Sequence, residues 1–438
     1  MRLLRKKTSW RATAPSILIV LNTFVWYILT YTAFSEILNG LTLPGAEKIG
    51  LFTVYYVGVA VTAILGSKLF SRARTKSLHI WLAMGALATF LLIFVPISGI
   101  LVAALLAFFF GASVGIGLPS CLSYFADSTV VENRSFIGGI TWSGVGFAVL
   151  LFAFLTNTVG QLETILALTV WRLLGSVSFL VLNRKHENQA TIKPPSYLEL
   201  IRKRGILLYL FPWIMISLIN FAETPLVERV FGQDFPFIQL VGFVFIGIFA
   251  TVGGAIADFA GRKRVVIAGF VMLGIEYAAL SAFSNSPATL YLFLVLDGIT
   301  WGLLVSVFFM AIWGDLGENH EKEKYYVLGG LPYLLANFLY VLIKPYASDI
   351  PLAAAFSFAS FFLFLAVLPL MYAPETLSEK TMRDRELKNY IEKAQKEATK
   401  VQEKEAENTQ RENEDAEVEI EANQKDYEEV LKEAEKYY

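Results

Sequence analysis

The sequence predicts an all-α integral membrane protein, with twelve transmembrane helices in two pseudo-symmetric six-helix bundles and a charged, helical C-terminal tail. Three observations carry this. Of 438 residues, 55% are hydrophobic and only 17% charged, against about 25% charged in an ordinary soluble domain. The apolar residues gather into twelve stretches, each long enough for a bilayer core of ~30 Å. The charges are also segregated: residues 374–438 hold 12 Lys/Arg and 20 Asp/Glu, and the first 373 residues hold 25 and 18. A near-neutral chain is therefore an apolar, mildly basic body joined to an acidic tail. This excludes a soluble enzyme, a disulfide-rich secreted domain and a nucleic-acid binder. Cys121 is the only cysteine, so an intramolecular disulfide, a CxxC pair and a cysteine-based zinc site are excluded too.

In chain order the stretches are 14–38, 49–70, 78–96, 98–122, 134–156, 164–182, 206–228, 236–257, 265–284, 289–312, 326–345 and 350–373. Lipid offers backbone groups no hydrogen-bond partner, so each must be a helix. The first follows a basic N-terminus but has no small-residue cleavage site, so it is expected to be a retained helix. With the N-terminus inside, the inside connections before the tail carry 21 Lys/Arg and the outside loops carry 3. That bias places both termini in the cytoplasm. The longest connection between spans, 183–205, holds Lys193, Pro194, Pro195 and Arg202-Lys203-Arg204. A polar linker at the midpoint divides the chain into a bundle at 1–182, the linker at 183–205, a second bundle at 206–373 and a Glu/Lys-rich tail at 374–438.

The two bundles repeat at an offset of 188 residues. Gly254-Ala255-Ile256-Ala257-Asp258-Phe259-Ala260-Gly261-Arg262-Lys263-Arg264 follows span eight, and Gly66 to Lys76 follows span two. Gly66 aligns with Gly254, Arg74 with Arg262, and Asp127 with Asp315. Repetition of this kind marks transporter folds built from repeated bundles. The Gly254–Arg264 segment resembles the cytoplasmic loop signature of the major facilitator superfamily, Gly-x-x-x-Asp-x-x-Gly-Arg-Lys. Its place after span eight, a degenerate copy after span two, and Pro374-Glu375-Thr376-Leu377 after span twelve fit the same resemblance, which covers about residues 10–377. In the first copy Phe70 replaces the Asp and Ala73 the Gly, so a weaker latch is expected there. Ala107 stands where some members carry an Arg linked with proton coupling. Span five has glycines at 138, 139, 144 and 146 but no Pro, so the Gly-Pro signature of drug–proton antiporters is absent.

In the motif, Gly254 permits close helix approach and Gly261 a backbone conformation that a Cβ resists. Asp258 can meet a helix N-terminus or an Arg side chain, and Arg262 and Lys263 can pair with carboxylates or lipid phosphates. Such contacts can latch the cytoplasmic side and release as the bundles rock. Lys263 and Arg264 also serve as topology charges. The resemblance adds Asp127, with Arg134 seven residues on, and Asp315 to the same network.

Charges within spans are costly and are functional candidates by default. Asp297 lies near the middle of span ten, which the resemblance places on the central cavity, where it could bind a cationic group or a coupling proton. Glu223, beside Asn220, is near the outer end of span seven, and Glu36 holds the matching place in span one, one residue out of register. Both are candidate gate residues. Trp301 and Gln239 are further lining candidates, with Asn22, Tyr55, Tyr56, Trp142 and Asn337 behind them. Glu276 in span nine and Arg172 in span six are expected to pair structurally within their own bundles.

His79, His186 and His320 all sit near the cytoplasmic boundary, and HExxH, GxSxG and Walker A segments are absent, so catalysis, cofactors and metals are not expected. In the tail, Leu387, Ile391, Ala394, Ala398 and Val401 follow a short heptad seam. The expected function is a secondary active or facilitative transporter of a small solute by alternating access in the cell membrane, with a proton or sodium ion as the candidate coupling ion. The alternative is a non-transporting sensor or scaffold acting through the tail, by self-association or a cytoplasmic partner.

Overall fold

The twelve predicted spans correspond to helices of the chain. The computed structural model describes residues 10–156, 158–182, 195–284, 286–318, 320–377, 379–434 and 436. Most of the expected central linker, residues 183–194, lies outside the described residues. The described residues up to 377 form one compact unit and the tail a second.

The first six spans are α1 (Trp10–Gly40), α2 (Gly45–Leu69), α3 (Arg74–Leu91), α4 (Ile100–Gly115) continued by α5 (Leu118–Asp127), α6 (Arg134–Thr156) and α7 (Gln161–Leu182). After the short α8 (Tyr197–Arg202) come α9 (Arg204–Phe231), α10 (Phe235–Ala260), α11 (Arg262–Phe283), and α12 (Pro287–Leu303), which continues into α13 (Trp313–Leu316). Span eleven is α14 (Glu323–Ala336) and α15 (Phe338–Ile343), and span twelve is α16 (Leu352–Tyr372). Among the described residues eleven continuous helical stretches are long and apolar enough to cross a membrane. One of them, Arg204–Ala260, runs 57 residues and contains both α9 and α10. At 1.5 Å per residue that is about 85 Å, far more than one crossing. Gly232, at φ 52, turns the chain between the two. The spans therefore number twelve.

Element boundaries follow local chemistry. Pro236 and Pro287 sit in the first turns of α10 and α12, where a missing N–H costs nothing. Gly261, at φ 103, ends α10 and opens α11. Ser196 caps α8, its Oγ accepting from the Glu199 N–H at 3.3 Å while the Glu199 carboxylate accepts from the Ser196 N–H at 3.1 Å, a capping box. Tyr197 then shares a 2.7 Å hydrogen bond with Ser67 of α2. Leu304–Ile312, between α12 and α13, is π-helical and wholly buried. Wide turns of this type concentrate at functional sites.

Within the first six spans α2 packs along α4, and α1 and α3 along α7; within the second six, α11 packs along α16 and α12, and α10 along α12. The two sets meet chiefly where α6 runs along α10, and again where α14 and α15 meet α2. The α6–α10 seam is made by glycine. A Cβ added at Gly139 would overlap the Ala250 carbonyl, at Gly146 the Phe243 carbonyl, and at Gly254 the Ser135 carbonyl. Ser143 adds hydrogen bonds to the Gly247 carbonyl at 2.5 Å and to Thr251 at 2.7 Å. The aligned Gly66 does a different job. Its face meets Ile116, within the first six spans.

Pro374–Leu377, assigned to the tail from sequence, belongs to the bundle unit. The tail itself is helical, as its composition predicts: α17 (Glu379–Ala434) runs 56 residues. Leu387, Ile391 and Val401 of the heptad seam are exposed on it.

Candidate functional site

At the end of the bundle that carries the loop motif, charged residues from both sets of spans interlock. Arg262 is fully buried. Its guanidinium meets Asp315 and Asp258, the latter at 3.3 Å, and donates to Ser135 Oγ at 3.0 Å and to the Val131 carbonyl. Arg134 pairs with the same Asp315 from the other side and donates to the Ala126 carbonyl at 2.8 Å. Asp258 accepts the N–H groups of Ser135 (3.3 Å) and Phe136 (2.8 Å) at the start of α6, a favourable place for an anion.

A second cluster mirrors the first. Arg74 pairs with Asp127 at 2.5 Å and with Glu323 at 2.6 Å, and Lys322 closes on Asp127 at 2.6 Å. The 188-residue offset relates the two part for part. It carries Arg74 to Arg262, Asp127 to Asp315, Arg134 to Lys322, and Ser135 to Glu323. The network is thus a pseudo-twofold object, and each cluster takes partners from both sets of spans. The structure brings together Arg134, Asp258, Arg262 and Asp315, and places Asp127 in the Arg74 cluster. Lys322 and Glu323 escaped the sequence reading, although the same offset applied to Arg134 and Ser135 would have found them.

Phe70 does not leave the Arg74 cluster slack. In the Arg262 cluster the carboxylate beside the arginine is Asp258; in the Arg74 cluster, where Phe70 replaces it, Glu323 supplies one from α14. The expected weakness is offset from the opposite set of spans, because the position equivalent to Ser135 has become acidic.

Glu375 was also missed as a site residue. Its carboxylate accepts the N–H groups of Arg262 (3.0 Å) and Lys263 (3.2 Å) at the start of α11, and Thr376 Oγ1 donates to Asp315 at 3.1 Å. The segment after span twelve is therefore stitched into the network. Lys263 contributes mainly its backbone here, while its ammonium donates to the Met371 carbonyl at 3.3 Å.

Mid-bundle, aromatic side chains from both sets of spans converge. Tyr31 and Tyr56 share a 2.6 Å hydrogen bond, and the Tyr56 ring lies 5.1 Å from Phe338 across the interface. Phe24 packs on Trp142 at 4.8 Å and on Phe309 at 5.5 Å. Trp301 and Tyr333 meet at 5.6 Å, and Phe221 lies 5.0 Å from Tyr333. Asp297 is half-buried, with the Trp301 side chain within reach of its carboxylate and Tyr333 within electrostatic range.

The other candidates separate. Glu223 is 8% exposed, with one carboxylate oxygen lacking a partner among the described residues. Asn220 is half-buried, its carbonyl accepting from Thr224 at 2.6 Å. Glu36 and Gln239 are exposed and join neither cluster. Asn22 belongs to the packing of α1 on α7, donating to the Trp171 carbonyl at 2.7 Å.

Arg172 is buried among neutral groups. It donates to Asn22 (3.1 Å) and Thr23 (2.9 Å) and lies between the rings of Trp26 and Trp81, 4.2 and 4.4 Å from their centroids. Its pairing is internal to the first six spans, as expected, but uses dipoles and π faces. Among the described residues no group of His, Cys, Asp or Glu could hold a metal ion.

Twelve helices, paired ion clusters at one end and a polar aromatic centre between two sets of six spans define the major facilitator superfamily fold. Comparison with solved structures gives 229 matching chains. Among them is the human organic anion transporter MFSD10 (TETRAN), similar at a TM-score of 0.60 with 16% sequence identity, over 82% of this chain and 99% of that one. At that identity the likeness establishes the fold. No protein-family model matches the chain, and no curated protein does.

Proposed function

We propose that the chain is a secondary transporter that carries a small solute by alternating access, its two six-helix bundles (1–182 and 206–373) rocking about the mid-bundle site. The observation that carries this reading is the pseudo-twofold ion network, closed across both bundles at one end while half-buried polar and aromatic groups face each other at the centre. With both termini in the cytoplasm of a cell-membrane protein, the network is the cytoplasmic gate and this conformation is closed inward. Span ten joins site to gate in one element: Asp297 stands well inside it, Asp315 at its network end, and the π-helical turn between them.

The human neighbour is named an organic anion transporter. Here the charged groups nearest the centre are acidic, Asp297 and Glu223, and the one buried cation of α7, Arg172, is engaged inside its own bundle. That charge pattern supports a neutral or cationic solute. Asn220 and Trp301 flank the acids as binding candidates. Energy comes from a solute or ion gradient, with a proton or sodium ion as the coupling partner.

The test is thermal stability of the purified protein across a broad library of metabolites and drugs. A ligand at a hundredfold its Kd stabilises the native state by about 2.7 kcal/mol. Hits among cations or neutral solutes that vanish in Asp297→Asn support the assignment. Hits confined to anions, unchanged by Asp297→Asn, would sink the charge argument. The exposed apolar positions of α17 favour a second role for the tail as a docking or self-association arm. A phenotype rescued by residues 378–438 alone would give that role precedence over transport.

A further inference from the structure

Glu276 is a deeply enclosed carboxylate within span nine. It sits on α11, is 1% exposed, and neither of its carboxylate oxygens has a hydrogen-bond partner among the described residues. The elements packed against α11 offer it no cation. α16 contains no charged residue, the π-helical segment contains none, and α12 contributes only Asp297. α10 contributes only Asp258, at its motif end, and the basic residues of α11 itself, Arg262–Arg264, lie more than three turns away. Asp297 is close enough to interact with Glu276 electrostatically, and Tyr277 is within range of Glu276, Asp297 and Glu223.

An ionised carboxylate in that place would have no compensating charge and no donor, the costliest condition for a buried group. Structural pairing, the expectation from sequence, needs a cation or donors that the surroundings do not supply. A metal ion is a poor fit, since hard cations such as calcium and magnesium take about six to eight oxygens and only two are free here. What remains is a proton.

We infer that Glu276 and Asp297 form a proton-binding pair off the axis of the second bundle, with Glu276 holding the proton in this conformation and Asp297 exchanging it with the mid-bundle site. Two acids in mutual range cannot both ionise cheaply. Ionising Asp297, or covering it with a cationic group of the solute, therefore changes how firmly Glu276 keeps its proton. Glu223, near the outer end of α9, also has Tyr277 within its range. The proton moves between carboxyl oxygens and bulk water, with no other bond made or broken. The consequence for coupling rests on the transport reading, but proton binding itself does not.

The test reads the proton directly. Infrared difference spectra of the purified full chain in lipid discs are recorded from mildly acid to mildly alkaline pH, using the C=O stretch of a protonated carboxyl. The wild type is expected to show such a band at neutral pH, lost in Glu276→Gln and titrating differently in Asp297→Asn. No carboxyl band at any pH means that Glu276 is ionised and overturns the proposal. A band untouched by pH and by Asp297→Asn makes Glu276 a fixed structural acid and overturns the exchange step. If Glu276→Gln fails to fold, the wild-type and Asp297→Asn spectra still decide. Because no solute is used, a negative result refutes the proton pair and leaves the transport reading to its own library test.

Discussion

Arg74 reaches Glu323 at 2.6 Å, so the loop after span two is tied to the first turn of span eleven. The pair exists because two departures from the repeat compensate. Phe70 removes an acid from beside Arg74, and Glu323 returns one at the position equivalent to Ser135. Each cluster keeps a carboxylate on each side of its arginine, although the acids come from different elements.

Glu323→Gln should therefore open the proposed cytoplasmic gate. The Glu323 side chain is 1% exposed, and removing one partner of a buried pair costs about 3–5 kcal/mol. A lower melting temperature is expected, with faster labelling of a thiol placed by Met310→Cys, a site fully buried above the network. Native Cys121 is itself buried and should contribute little background. Adding Phe70→Asp should recover part of the loss, with an interaction energy of about 0.5–3 kcal/mol in the double-mutant cycle. If Phe70→Asp harms the Glu323→Gln protein as much as the wild type, the two positions do not compensate.

The α6–α10 seam predicts a contrast between glycines on neighbouring surfaces. A methyl at Gly139 would overlap the Ala250 carbonyl, whereas at Gly242, on α10, it would meet nothing within 4 Å. Gly139→Ala should cost about 1–3 kcal/mol by overpacking. Gly242→Ala should be neutral or gain up to about 1 kcal/mol from helix propensity. Thermal melts of the two variants decide, and equal shifts would mean the helices separate freely.

How much of this was legible in the sequence depends on which interaction made the signal. The spans were readable because the bilayer imposes length and hydropathy on each helix separately. Arg262 and Asp315 were readable because their spacing repeats, and Asp258 because it stands in the loop signature. Lys322 and Glu323 were hidden for the opposite reason, since substitution within the repeat turned Arg134 into Lys and Ser135 into Glu, erasing the identity while preserving the place. Glu375 acts through backbone N–H groups more than a hundred residues earlier in the chain, and no local pattern marks that. Gln239 fell on a lining helix by position, but its face of that helix is set by packing that spacing alone does not give.

Glu375 should act as the cap of α11. Glu375→Ala removes the acceptor of the Arg262 and Lys263 N–H groups and should cost about 0.5–2 kcal/mol. Glu375→Gln should cost less, and Glu375→Lys more by about 0.3–1 kcal/mol from the helix dipole. A chain ending after Leu377 should melt with the wild type, because the bundle unit ends there, and one ending after Ala373 should melt lower. Equal melting of the two truncations would show that Pro374–Leu377 holds nothing in place.

Arg172 separates packing from charge. Its stem and guanidinium fill the space between Trp26 and Trp81, and its hydrogen bonds go to the neutral Asn22 and Thr23. Replacing a buried charge by an apolar side chain of similar volume is often neutral, so Arg172→Met should melt within about 1–2 kcal/mol of the wild type. Arg172→Ala empties the slot and should cost about 3–5 kcal/mol, as other large truncations in cores do. Arg172→Lys keeps the charge but loses the planar stacking on two rings, and should fall between them. Melting of the three variants, with tryptophan fluorescence reporting on the two rings, fixes the order. If Arg172→Met instead melts like the wild type yet loses every ligand found in the library screen, the arginine serves the transported solute, and the structural reading of α7 must be given up.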